Sequence, residues 1–210
     1  NKLIAQPAAA LQLVAKEVMY CAKIVDEMIE KLQSGNGKVE KENAAAVEEK
    51  AKTLQKLYAS INEYFSSMYS GGVLTEEQAS QSAGMQYILC DIDRIGQLTR
   101  EIMETVAKQN KGKHKYSKEA LKELKKAMEQ IQTIYGTCIR AISGDLDVDI
   151  KELMHRKNHI ARVGKGKCDS KLTIPFNDVL HNIDRIGNSC VNLVEVAQEN
   201  VTMQAFFTED

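Results

Sequence analysis

Tryptophan is absent, prolines number only two, and aromatics make up 5% of the 210 residues. A β-sandwich or barrel draws on strand formers and many turns, so this scarcity argues against both. Neither sign of charge is in excess: 28 lysines and arginines face 29 aspartates and glutamates, giving a net charge of −1 and a pI near 6.5. That balance supplies no overall field for DNA or RNA, and nucleic acid is not expected as a partner. No apolar run reaches the length of a membrane span, and no signal-peptide pattern is seen. The five cysteines include no C-x-x-C pair, and an odd number fits a reducing cytosol better than a disulfide framework. Cys21, Cys138 and Cys190 fall at apolar helix positions, as small buried thiols do. What is present is a chain 43% hydrophobic and 27% charged, long enough for one well-buried core or two fused half-domains.

Helical periodicity fills most of it. Leu11, Val14, Val18, Ala22, Val25, Met28 and Leu32 step by three and four, predicting a first helix from Pro7 to Gln33. Pro7 suits a first turn, and Ser34-Gly35-Asn36-Gly37 suits a stop. A second helix, Val39 to Tyr69, carries Val47, Ala51, Leu54, Tyr58, Ile61, Phe65 and Met68 on one seam. Thr75-Glu76-Glu77-Gln78 has the capping-box pattern and opens a third, buried along Ile88, Ile92, Ile95, Thr99, Ile102 and Val106. Ser117 caps a fourth, with Leu121, Leu124, Met128, Ile131, Tyr135, Cys138 and Ile142. A less regular fifth runs from Leu146 to Val163, and Pro175 sets the first turn of a sixth. The tail after Asn200 is expected to fray.

One phrase occurs twice. Leu89-Cys90-Asp91-Ile92-Asp93-Arg94-Ile95-Gly96 is matched by Leu180-His181-Asn182-Ile183-Asp184-Arg185-Ile186-Gly187, at an offset of 184 − 93 = 91 residues. A match at one fixed offset marks an internal duplication. The fold class predicted is therefore all-α, two tandem three-helix bundles spanning 1–112 and 113–210, each ending in a signature helix. Glycine inside a helix costs about 1 kcal/mol relative to alanine, so Gly96 and Gly187 are expected where the signature helices cross. Asp93 and Asp184 lie one residue off the buried stripe and need a cation or donors. Arg185 and Arg94 of the facing copy are one candidate pairing. The other is a divalent metal (Mg²⁺, Fe or Zn²⁺) on Asp93 and Asp184, aided by Asp91, Gln97 or Asn188. The amides at Gln97 and Asn188 bring no charge, which weakens a transition-metal site.

The twin acid-Arg-Ile-Gly phrase on the third helix of each repeat resembles the signature of PhoU-like phosphate-uptake regulators. His159-Ile160-Ala161-Arg162-Val163, Gly166-Lys167-Cys168, Phe176 to Gly187 and Cys190-Val191-Asn192 resemble, more narrowly, the PhoU-like domain of bacterial Na/Pi cotransporters. Pro7-Ala8-Ala9-Ala10-Leu11 is similar to the start of that domain. The resemblance implies two three-helix bundles side by side, no enzymatic activity, and regulation of a sodium-dependent phosphate transporter by protein contact. It places the chain on the cytoplasmic side of the inner membrane, tethered through a transmembrane part before Asn1, which is not a methionine. The membrane-embedded transporter domain is the expected partner. A regulatory protein and a homo-oligomer stay open. Asp93 and Asp184 match the family's first metal-binding acid, whereas Gln97 and Asn188 replace its second. Alternatives are a metal-binding bundle, or a free-standing adaptor that pairs through its polar fifth helix.

Other groups point to less. His155 and His159 have zinc-ligand spacing but no third ligand nearby. His181 lies near Asp184 without a serine or cysteine nucleophile. Gly164-Lys165-Gly166-Lys167 is too short for a phosphate-binding Walker loop. Lys111 to Lys126 holds seven lysines and only two acids, a solvated helix start or a surface for anionic lipid.

Overall fold

A computed structural model describes residues 6–35, 41–72, 74–112, 116–145, 147–162 and 173–208. All regular structure among them is α-helical, and the helices begin where side chains can satisfy free backbone donors. Thr75 accepts from the Gln78 amide at 3.2 Å while the Gln78 side chain accepts from the Thr75 amide at 3.1 Å. That reciprocal pair opens α3, Glu76–Lys111. Ser117 caps α4, Lys118–Ile142, through the Ala120 amide. Pro7 opens α1, Pro7–Ser34, and α2 spans Lys41–Ser70. Asp149 accepts from the Lys151 amide at 2.8 Å, so α5 starts at Ile150 and runs to Arg162, later than the expected Leu146. The signature-bearing α6 is Thr173–Glu199.

A seventh helix, α7 (Val201–Thr208), replaces the frayed tail and corrects the six-helix expectation. Its anchor is buried. Gln204 donates to the carbonyls of Ala197 at 2.8 Å and Ala141 at 3.4 Å, and Met203 is fully buried against α3. Gly84 makes room there: a Cβ on it would sit 2.7 Å from the Met203 sulfur.

The helices alternate in direction. Lys50 of α2 pairs with Glu27 of α1, Arg100 of α3 with Glu48 of α2, and Asn182 of α6 with Glu101 of α3. α2 packs on α1 and α3, while α5 packs on α4 and α6. The two groups of three meet through α1 against α4 and α3 against α6. Core side chains follow the predicted seams: every seam residue of α1 and α3 is buried, and Leu121 is the one half-buried member on α4. On α2, Ala51 is only half-buried because it borders an open groove against α3, and Tyr58 is half-buried beside Cys90 and Asn62. Tyr135 of α4 reaches across the middle and donates to the Ala22 carbonyl of α1 at 2.6 Å.

Candidate functional site

On α3, Asp93, Gln97, Arg100 and Glu104 follow one another at intervals of three or four and share a face. With Ala51, Leu54 and Gln55 of α2 they line a groove of ≈ 380 Å³, floored by Gly96. Asp93 is only 9% exposed, and Gln97 donates to its Oδ2 at 2.6 Å. Burial pushes the Asp93 carboxyl above its usual range, and the Gln97 hydrogen bond pulls the other way. Arg100 is neutralised by Glu48, at 2.6 and 3.3 Å, and by Glu104 at 3.2 Å.

The signature residues do not assemble as the phrase suggested. Gly96 is not the contact that lets α3 and α6 approach. A Cβ on it would sit 2.4 Å from Leu54 Cδ2 and 3.2 Å from Val25 Cγ2, both within the first three helices. Counting back from Glu101 to Gly96, and forward from Asn182 to Gly187, covers equal lengths of antiparallel helix, so the two glycines lie within about a turn of one level. Gly187 is buried there. Arg94 and Arg185 are both exposed rather than buried between the halves, and the partner of Asp93 is Gln97 of its own helix rather than Arg185. Asp184 is half-buried, and Asn188, one turn on, is exposed. Among the described residues no group of three or more His, Cys, Asp or Glu side chains is placed to hold a metal ion.

Asp91 is a separate environment. Burial raises its carboxyl to about 6, with Arg94 acting in the opposite sense. A native pKa above the unfolded one means that ionisation opposes folding. The stability linked to Asp91 is therefore fully present only below the unfolded value of 3.8 and is lost as pH rises through about 6. We expect Asp91→Asn to be more stable than the parent by about 1–2 kcal/mol near pH 7.5, a figure discounted for partial exposure, and the gain to vanish at about pH 3, below the unfolded pKa. Urea unfolding of both proteins at the two pH values checks this; an equal difference at both would refute it.

The remaining groups are scattered. His181 borders a shallow hollow with Glu101, Glu104, Asp178 and Asn182. His155 is exposed on α5, while the side chain of His159 and the whole of 164–167 lie outside the described residues. Cys21, Cys138 and Cys190 are fully buried, as their positions predicted, and burial pushes the Cys21 thiol up to about 12. Two features escaped the sequence reading: the Glu48–Arg100–Glu104 cluster and the contact of Tyr58 with Cys90 and Asn62. Arg100 stands seven residues after Asp93, a spacing that places it on the same face and was there to be read.

No protein-family model matches the chain, and no curated protein matches it significantly. No described helix is long and apolar enough to cross a membrane.

Proposed function

We propose that the chain is a non-enzymatic regulatory domain of PhoU type, which controls a sodium-dependent phosphate transporter by protein contact on the cytoplasmic side of the membrane. The observation that carries this reading is the packing of α3 along α6, the two helices that bear the repeated phrase. A duplicated unit whose signature helices form the seam between its halves is built to transmit a shift of one half to the other. The exposed signature arginines, Arg94 and Arg185, lie outside that seam and are free to meet a partner's acids.

Phosphate uptake tests it in cells whose transporter is expressed with and without this segment. Removal is expected to leave transport intact and abolish its repression under phosphate surplus. Unchanged uptake together with unchanged repression would sink the proposal.

A further inference from the structure

In chain order α7 belongs to the second group of three helices, yet it packs on α1 and α3 of the first. Its joint to α6 is the single residue Asn200, and side chains stabilise the corner there. The Asn200 side-chain amide donates to the Val196 carbonyl at 2.9 Å. Gln204 donates at 2.8 Å to the Ala197 carbonyl, which in an unbroken helix would accept from the Val201 amide. With these carbonyls satisfied, α6 stops and α7 leaves it as a separate arm.

The arm grips both groups. On the second, Gln204 also reaches the Ala141 carbonyl, and a Cβ on Gly144 would sit 3.2 Å from the Thr208 methyl. On the first, the corner drops into a notch at Gly84 of α3. A Cβ there would meet the Met203 sulfur at 2.7 Å and the Asn200 side chain at 3.3 Å. Such a notch fixes register. One turn to either side on the same face stand Gln81 and Ile88, whose side chains leave no equivalent space. While Met203 is seated, α6 cannot slide along α3. The grip is also small: α7 has no charged residue, and only Met203 and Gln204 of its eight residues are buried. Few buried contacts make an element that opens below the cost of global unfolding.

We propose that α7 is a releasable latch between the two groups: seated, it locks α6 against α3, and its release lets the groups move apart. The inference concerns motion within this chain and does not rest on the transporter reading. Hydrogen exchange and thiol labelling of the whole chain test it together. The amides of 201–208 are expected to exchange more than about tenfold faster than those of the buried stripe of α3. Met203→Ala is expected to accelerate them by about thirtyfold, and Met203→Leu, which keeps the volume, by less than about threefold. Gly84→Leu fills the notch from the other side and is expected to act like Met203→Ala.

The buried thiols report whether the groups part. Cys21 and Cys190 lie around Tyr135 between the groups, whereas Cys90 lies beside Tyr58 inside the first. In Met203→Ala and Gly84→Leu, maleimide labelling of Cys21 and Cys190, located by mass spectrometry, is expected to rise about tenfold with Cys90 unchanged. Exchange of the α7 amides only together with the core would overturn the proposal, because α7 would then open only by global unfolding. So would faster α7 exchange with Cys21 and Cys190 unaltered, the mark of an arm that frays without holding anything. Equal gains at Cys90 would reduce the effect to a general loss of stability. A Met203→Leu protein as labile as Met203→Ala would show that filling the notch is not what holds the arm.

Discussion

Tyr135→Ala is expected to cost about 3–5 kcal/mol of stability, the largest loss of any single substitution considered. Among the described residues Tyr135 is the largest fully buried side chain, and it sits where the two groups of three helices meet. Truncation leaves a cavity that α1, α4 and α6 cannot close without shifting, because their backbones are held apart by neighbouring packed residues. The hydroxyl contributes separately through its 2.6 Å hydrogen bond to the Ala22 carbonyl. Tyr135→Phe keeps the ring and removes only that bond, for an expected loss of about 1 kcal/mol. Burial raises the phenol well above its ordinary pKa, with Cys190 and Cys138 adding to the effect. It therefore stays a protonated donor throughout the neutral range, and the Phe penalty is expected to be the same at mildly acidic and mildly alkaline pH. Urea unfolding of the three proteins checks both figures. A Tyr135→Ala loss below about 1 kcal/mol would mean that the contact of α1 with α4 is not part of the core.

Periodicity made the rods legible because each is long enough to show several turns of one buried stripe. The seam of α1 from Leu11 to Leu32 is buried without exception, and so is that of α3 from Ile88 to Val106. Local chemistry located Thr75 and Ser117 as helix starts, since a cap is a contact among neighbours in sequence. What was illegible depends on distant contacts. The eight residues of α7 are too few to display a period, and their helix rests on Gly84 and on carbonyls of Ala141 and Ala197. Gly35, placed as a helix stop, ends α1 with a φ of −76°, so it does not use the left-handed region that motivated the expectation.

The candidate site was legible in composition but not in arrangement. The sequence grouped Asp93 with Gln97 as candidate ligands and set Gly96 apart as a crossing point; the three line one groove. It also suggested that each aspartate takes the arginine of the facing copy and that the glycines mark the crossing of the signature helices, which a one-dimensional match cannot decide. A residue one step off the buried stripe turns toward one neighbouring helix or the other, and the hand of the bundle settles which. For Asp93 that neighbour is α2 rather than α6, so its environment is made by Gln97, Ala51 and Leu54. Asp91, two residues away, faces elsewhere and feels Arg94 instead.

Gly96→Val is expected to destabilise the protein by about 3 kcal/mol. The reason lies in one contact: the space a Cβ would occupy is filled by Leu54, 1% exposed, with the fully buried Val25 closing the other side. To admit the added methyls, α2 must move away from α3 or Leu54 must leave its rotamer. Alanine at 96 meets the same 2.4 Å approach but gains about 1 kcal/mol of helix propensity, so its net cost is expected to be smaller, about 1 kcal/mol. Leu54→Ala removes the clashing methyls at the cost of a cavity. In Gly96→Ala/Leu54→Ala the two changes are expected to offset, leaving the double variant about 1 kcal/mol more stable than additivity predicts. Thermal and urea unfolding of the four members of that cycle give the coupling directly. If Gly96→Ala instead stabilises by the full propensity gain, with no coupling to Leu54, the glycine of the repeated phrase is not there to admit α2. Because Gly96 also floors the groove beside Asp93, Gly96→Val is further expected to loosen the Gln97–Asp93 hydrogen bond. A downfield-shifted Gln97 side-chain amide resonance in the parent, moved toward the random-coil position in the variant, would report that change independently of stability.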